Sequence, residues 1–493
     1  MVILSIILLG LSLIYFNKSK TSIKKSIILY FFLVFLYLIF LDIFYIFTYF
    51  TGKGLDNSVL YYFRYGGEGT GWLEYKTITF FSIFSLIFIV FIVVFNVKKY
   101  LKKHSIIRLN NLYYRKLSFF VLFLALLSNP LTDNILELNG LYDINSFSYS
   151  DTLNFDEYYV KPKFNDIDKK KNIVYIYLES YEKMFLDENI FPGLSPNLNK
   201  LKENSIYFDN VNQAYGTSWT IAGMVGSQCG IPLEFPGDLD IGETSKSYLS
   251  GAFCLGDYLK KAGYDMNYVG GSSMGFAGKG TFYKTHGFSD IRGKDEYITE
   301  LKDSNYIYSW GMYDDTTFSN AFDRYQELSK NDKPFGLFMI NMDTHGDSGV
   351  ISDSCKNLNY NDDPKSILNS YHCTDFLVSD FINKIKNSPN FKDTIIVIGS
   401  DHFAMDNNNV SDTLKENKDD RRLLFMIYDN NDSNDKIISK KGDTLDIGAT
   451  VLSFMGFKVD KLGLGISLFD EVNIRNPDII LTKWKKEYQN LWR

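Results

Sequence analysis

Residues 391–407 read FKDTIIVIGSDHFAMDN, and the run 394–399 (TIIVIG) is short, apolar and rich in β-branched side chains. Such a run reads as a buried strand, because branched side chains suit a pleated surface and the stretch is too short for an independent helix. Runs of the same kind recur at 172–178 (NIVYIYL), 266–269, 335–342 (FGLFMINM) and 423–428. Helical patterns lie between them at 195–204, 219–228, 255–262, 316–329 and 366–387. Continuous apolar strands alternating with helices predict an α/β sheet with helices on both faces. There is no internal repeat and no low-complexity tract.

The chemistry collects at the ends of these strands. Glu179 follows the first run as YLES, Asp343 and His345 follow the third long run as MDTH, and Asp401 and His402 follow TIIVIG as SDH. One aspartate after a strand is ordinarily a helix cap; three strands ending in carboxylate or imidazole groups describe a site, at the edge where open α/β sheets bind ligands. Asp, Glu and His together suit a divalent cation of the Mn, Mg or Zn type. Segment 214–232, AYGTSWTIAGMVGSQCGIP, places Thr217 at or near a helix N-terminus. Alone, Thr217 reads as an N-cap. Beside a cation it reads as a nucleophile whose hydroxyl is acidified by the metal, with the helix N-terminus stabilising a phosphoryl group. Thr220 is the second candidate.

The first 130 residues are a different object. They carry fourteen Lys/Arg and four Asp/Glu, against thirty-eight and fifty-four in the rest, so the whole-chain charge of −6 hides opposite halves. No basic tract marks the larger part, which argues against nucleic acid. Apolar stretches at 2–16, 26–50, 77–97 and about 117–131 read as four membrane spans; the second and third reach the ~20 residues a spanning helix needs. A secretory signal is the alternative for the first, but it lacks a basic leader region and an A-x-A site. Loop 17–25 holds Lys18, Lys20, Lys24 and Lys25, and loop 98–116 holds seven Lys/Arg, both without an acid, whereas loop 51–76 is mixed. The positive-inside rule makes the two basic loops cytoplasmic and everything after residue 132 extracytoplasmic. Asp42 lies within the second span, either as a functional charge or near the outer interface. All four cysteines, Cys229, Cys254, Cys355 and Cys373, fall in the larger part, and the economical pairing joins neighbours, Cys229–Cys254 and Cys355–Cys373.

In order, YLES, GTSWT, WGMYDD, DTHGDSG and GSDHFAMDN resemble the alkaline phosphatase/sulfatase superfamily. Within it, they resemble the membrane-anchored phosphoglycerol transferases, a group that includes lipoteichoic acid synthase and the phosphoglycerol transferase I enzymes of periplasmic glucan decoration. The runs SWTIAGMVGSQCGIPLEFPG and FINKIKNSPNFKDTIIVIGSDHFAMDN are the most specific pieces, and the resemblance covers roughly residues 170–430. It implies one divalent metal, Mn or Mg with Zn as an alternative, held by Glu179, Thr217, Asp401 and His402. Thr217 is then the nucleophile, and His345 contacts the headgroup and assists proton transfer. Lys279 and Trp310 grip phosphate and glycerol, and His286 is a group in their vicinity.

The expected organisation is a transmembrane anchor over 1–132, a linker over 133–170 and a sulfatase-like periplasmic catalytic domain over 171–493. The expected reaction is metal-dependent transfer of phosphoglycerol from phosphatidylglycerol to a periplasmic or cell-surface glycan through a phospho-threonine, releasing diacylglycerol. The expected location is the bacterial inner membrane. A phosphoethanolamine transferase and a sulfatase-like phosphodiesterase on a cell-surface glycan are the alternatives. Five histidines are few for the former, and GTSWTIAG lacks the Pro and Arg that a true sulfatase places beside its modified residue. The non-enzyme alternative is a membrane-anchored binding protein on a decayed hydrolase fold.

Overall fold

The computed structural model describes residues 2–51, 54–56, 58–61, 76–104, 111–138, 154–235, 246–301, 303–346, 349–363, 366–405, 410–430, 436–470 and 484–493. They form two compact units, Met1–Leu60 with Gly71–Phe147, and Tyr61–Thr70 with Ser148–Arg493. Residues 52–53, 57 and 62–75 of the mixed loop and 139–153 of the expected linker lie outside the described residues.

In the first unit, the segments Val2–Ser19, Lys24–Tyr49 and Ile78–Lys102 are helices long and apolar enough to cross a membrane. The fourth expected span is a bent pair, Leu112–Leu127 and Pro130–Leu136, with 58° between its halves. Pro130 opens the second half, where its missing N–H costs nothing, and the Asn129 side chain accepts from Leu131 N at 3.1 Å. The helix thereby runs into the stretch expected as linker. Phenylalanines along Lys76–His104, among them Phe80, Phe84, Phe88 and Phe91, are exposed, as a lipid-facing surface requires. Between the helices an apolar cluster of Phe16, Ile27, Tyr30, Phe31, Val34 and Leu122 is joined by small polar contacts. Ser12 Oγ lies 2.6 Å from Tyr30 Oη and donates to Ser118 O at 2.9 Å. Asp42 accepts a hydrogen bond from Ser85 Oγ at 2.8 Å, so its carboxylate joins two helices.

In the second unit the strands are, in chain order, β1 Asn172–Leu178, β2 Ile206–Phe208, β3 Val211–Asn212, β4 Asp265–Gly270, β5 Asp290–Arg292 and β6 Phe335–Ile340. They continue with β7 Thr394–Ser400, β8 Phe425–Asp429, β9 Lys436–Ile438, β10 Gly442–Asp443, β11 Lys461–Leu462 and β12 Gly465–Ile466. Eight of them form one sheet in the order β5-β4-β6-β1-β7-β8-β2-β9. Pairing from β5 to β7 is parallel, and β8 runs antiparallel to both β7 and β2. The sheet is thus mixed, with its antiparallel pairs towards one edge.

Alternation along the central strand explains why both faces are dry. Val174, Ile176 and Leu178 join a core with Tyr371, Val378 and Phe381 of the helix Ile367–Lys386, and with Phe318 and Tyr325 of the helix Asp314–Leu328. The opposite face carries Tyr175 and Tyr177, stacked at 4.3 Å, with Phe338 5.1 Å from Tyr175. Each fully buried aromatic contributes of order 2 kcal/mol, so this layer anchors the strands whose ends form the site. The pairs Cys229–Cys254 and Cys355–Cys373 are both disulfide-bonded.

Candidate active site

The three motif-bearing strands are neighbours: β1 sits between β6 and β7. Register pairs Leu178 with Ser400 and Tyr177 with Ile340, so the next residues, Glu179, Asp401 and Asn341, emerge together at the carboxyl edge. Ligand atoms of Glu179, Asp401 and His402 all lie within 4.8 Å of one another, and all three side chains are buried. His402 Nε2 is 3.2 Å from Glu179 Oε1 and 3.3 Å from Asp401 Oδ2. His402 Nδ1 lies 2.6 Å from Phe403 O, a contact that places the proton on Nδ1 and turns Nε2 towards the carboxylates.

Electrostatics and hydrogen bonding both fit a cation here. Burial raises the Asp401 carboxyl above its usual range, and the neighbouring Glu179 charge raises it further. At His402 burial opposes the charged ring, but the two carboxylates outweigh it and push the imidazole up to about 10. Asp401 Oδ2 and His402 Nε2 are buried without a hydrogen-bond partner. An unsatisfied buried polar atom costs about 1–3 kcal/mol, and two of them aimed at one place, in an O, O, N donor set, fit a divalent metal.

Thr217 is not part of this constellation. The helix that was expected to begin beside it starts at Thr220 and runs to Cys229. Gly216 (φ +69°) and the extended Trp219 turn the chain first. Thr217 Oγ1 instead donates to Ala214 O at 2.7 Å and lies 3.1 Å from Thr444 Oγ1, fully buried. It is Thr220 whose hydroxyl reaches the site, donating to Glu179 Oε2 at 3.1 Å. No side chain caps this helix, so its first N–H groups have neither an intrahelical partner nor a side-chain cap. Gly223 makes the approach possible: a Cβ there would lie 1.8 Å from Asp401 O.

A second wall carries the remaining expected residues. His345 is half-buried, its Nδ1 lacks a hydrogen-bond partner, and its ring lies 4.3 Å from that of Trp310. Burial holds His345 below its usual pKa, with Glu179, His402 and Lys279 all near enough to act on it. Phe276 links Trp310 (5.7 Å) to the Lys279 ammonium (5.3 Å). Lys279 is buried, contacts Ser272 Oγ, and is pushed down to about 8 by burial, against the pull of Glu179 and Asp401. His286 is elsewhere. It bridges Asp257 (2.7 Å) and Tyr248 O (3.0 Å) beside the Cys229–Cys254 disulfide, where it is structural.

Several contributors carried no sequence signal. Tyr61 belongs to this unit, donates to Ala277 O at 2.5 Å and packs its ring 4.7 Å from Trp219. Glu182 receives Arg421 and Ala404 N, which fixes the chain just after His402. Only the WGMYDD motif hinted at Asp314, which is buried beneath the site.

Residues 171–457 match the sulfatase family, and the chain belongs to it. Residues 1–150 match the family described as phosphoglycerol transferase I, N-terminal domain. The chain is 36% identical over 454 residues to phosphoglycerol transferase I of Shigella boydii serotype 18, and 35% identical over 454 residues to that of Escherichia coli O6:K15:H31. Each alignment takes in 90% of this chain but 57% of the relative, so the chain spans just over half the length of these curated relatives. A protein in the alkaline phosphatase superfamily from Vibrio parahaemolyticus superposes with a TM-score of 0.50 at 21% identity, covering 62% of this chain and 71% of that one, which shows a common fold.

Proposed function

We propose that the chain is a membrane-anchored phosphotransferase that moves phosphoglycerol from phosphatidylglycerol to a periplasmic or cell-surface glycan, with Thr220 as the nucleophile. The observation that carries this reading is the Thr220 hydroxyl, 3.1 Å from Glu179 Oε2 at an uncapped helix N-terminus, beside a buried Glu179–Asp401–His402 cluster. The relatives named phosphoglycerol transferase I support the headgroup.

Glu179, Asp401 and His402 would hold a divalent metal, Mn or Mg with Zn as the alternative, which would supply positive charge that favours the alkoxide form of a nearby hydroxyl. Thr220 Oγ1 attacks the phosphorus, the bond to the diacylglycerol oxygen breaks, and a phosphoglycerol–threonine forms. The helix N-terminus faces the phosphoryl oxygens. Lys279 pairs with their charge, and Trp310 packs against the glycerol. His345, held below the usual imidazole pKa, is a base that takes up the proton leaving Thr220 Oγ1 and then passes it to the departing diacylglycerol oxygen. A glycan hydroxyl then attacks the same phosphorus, the threonine oxygen leaves, and two in-line displacements retain configuration. The apolar helices of the first unit and its two basic loops support a location in the bacterial inner membrane with the catalytic unit extracytoplasmic.

The test uses full-length protein with Mn and phosphatidylglycerol labelled in its headgroup. Wild type and Thr217→Ala are expected to release diacylglycerol and carry label on the protein, whereas Thr220→Ala carries none. Label retained in Thr220→Ala overturns the nucleophile. Cleavage of phosphatidylethanolamine instead overturns the headgroup.

A further inference from the structure

Beneath Glu179 lies a chain of buried polar groups that ends on the Glu179 backbone and adds no side chain to the cation cluster. Asp314, the first residue of the helix Asp314–Leu328, is completely buried, as are Asn341, Thr344 and Thr374. Asp314 Oδ1 accepts hydrogen bonds from Met342 N (2.6 Å) and Asp343 N (3.1 Å). Asp314 Oδ2 accepts from Asn341 Nδ2 (3.0 Å) and Thr374 Oγ1 (3.4 Å). Four donors therefore fill a carboxylate that can only accept.

That arrangement fixes which way the Asn341 amide points. With Nδ2 committed to Asp314, Oδ1 faces the opposite way and accepts from Glu179 N at 2.7 Å. Thr344, from the same strand end, donates to Glu179 O at 2.7 Å. Both backbone polar groups of Glu179 are thus held by residues whose orientation descends from one buried carboxylate. Residues of this kind, acting through a ligand's supports, commonly change metal affinity about 10–100-fold when altered.

We propose that Asp314 is a positioning residue that sets the place of Glu179 through Asn341, so that the cation cluster is assembled only when the Asp314–Asn341 pair is correctly polarised. This rests on Glu179, Asp401 and His402 being a cation site, as the proposed function requires. In Asp314→Asn the new Nδ2 faces Asn341 Nδ2, donor against donor. Relief comes from flipping the Asn341 amide, which turns a donor towards Glu179 N–H and breaks the clamp. Exchanging the pair, Asp314→Asn with Asn341→Asp, restores a donor facing an acceptor and an acceptor facing Glu179 N–H.

The experiment measures Mn binding by calorimetry on the full chain in detergent, with kcat, KM and thermal melting alongside. Asp314→Asn is expected to weaken Mn binding about ten-fold or more, lowering kcat with KM for the lipid little changed. The exchanged double variant is expected to recover most of both. Wild-type Mn affinity in Asp314→Asn overturns the proposal, and so does a double variant no better than the single. If Asp314→Asn does not fold, Thr344→Val, which removes only the bond to Glu179 O, must weaken Mn binding several-fold; unchanged affinity there overturns it too. A wild type that binds Mn but turns over no phosphatidylglycerol sinks the lipid reading and leaves this proposal standing. A wild type that binds no Mn removes the cation site and the proposal together.

Discussion

Ser180 holds a left-handed backbone (φ +57°) directly after Glu179, a conformation that costs a side-chain-bearing residue energy. In that pose its N–H donates to Asp401 Oδ1 at 2.9 Å and its Oγ to Glu179 Oε1 at 2.9 Å, so one strained residue ties the two carboxylates together. Lys279 is the other residue whose state the fold sets. Burial pushes its ammonium down to about 8, below its value in an unfolded chain. Between that value and about 10.4 the unfolded state binds more protons, so this group's contribution to stability improves as pH rises through that window and is flat below it. Activity goes the opposite way if the ammonium pairs with phosphate. We expect kcat/KM to fall above about pH 8, and Lys279→Met to be slow with that alkaline fall removed. A profile unchanged by Lys279→Met would separate Lys279 from the substrate.

At the scale of elements, the helix Thr220–Cys229 and strand β7 meet without a side chain between them. Gly223 lies against the Asp401 carbonyl, where an added Cβ would lie 1.8 Å away and could gain room only by moving backbone. Gly223→Ala should therefore push Thr220 and Asp401 apart, costing about 1–3 kcal/mol of stability and weakening Mn binding and turnover together. Calorimetry and thermal melting on one preparation read both; a variant with wild-type Mn affinity would show that the spacing is not critical. The sequence displayed this helix but not which threonine meets Glu179. TSWTIAG reads as a threonine before an apolar run, yet which threonine faces the Glu179 carboxylate depends on where the helix starts. Trp219, extended at φ −156°, delays that start to Thr220.

At the scale of the whole molecule, both disulfides form among the described residues and leave none of the four cysteines free. A cysteine introduced at Lys200, an exposed residue, would then be the chain's only thiol. In intact cells it should react with a maleimide that cannot cross the inner membrane, provided the outer membrane is permeabilised. Protection until the inner membrane is also opened would reverse the orientation read from the basic loops.

Local pattern was enough for the α/β alternation, the apolar helices, the local cysteine pairing and the strand endings that carry Glu179, Asp401, His402 and His345. Each of these is written in a short window, through side-chain branching, hydrophobic periodicity or a polar residue after an apolar run. Tertiary structure decided what depends on distant segments meeting. Register brings Glu179 beside Asp401 from strands more than two hundred residues apart. Gly223 lets the Thr220 helix approach them. The fold also turns Thr217 towards Thr444, moves His286 to a disulfide, and recruits Tyr61 and Asp314, whose roles follow from partners no local pattern specifies. Strand endings are legible because secondary structure is periodic; which threonine hydroxyl meets Glu179 is not, because a hydroxyl's direction is set by packing across the whole sheet edge.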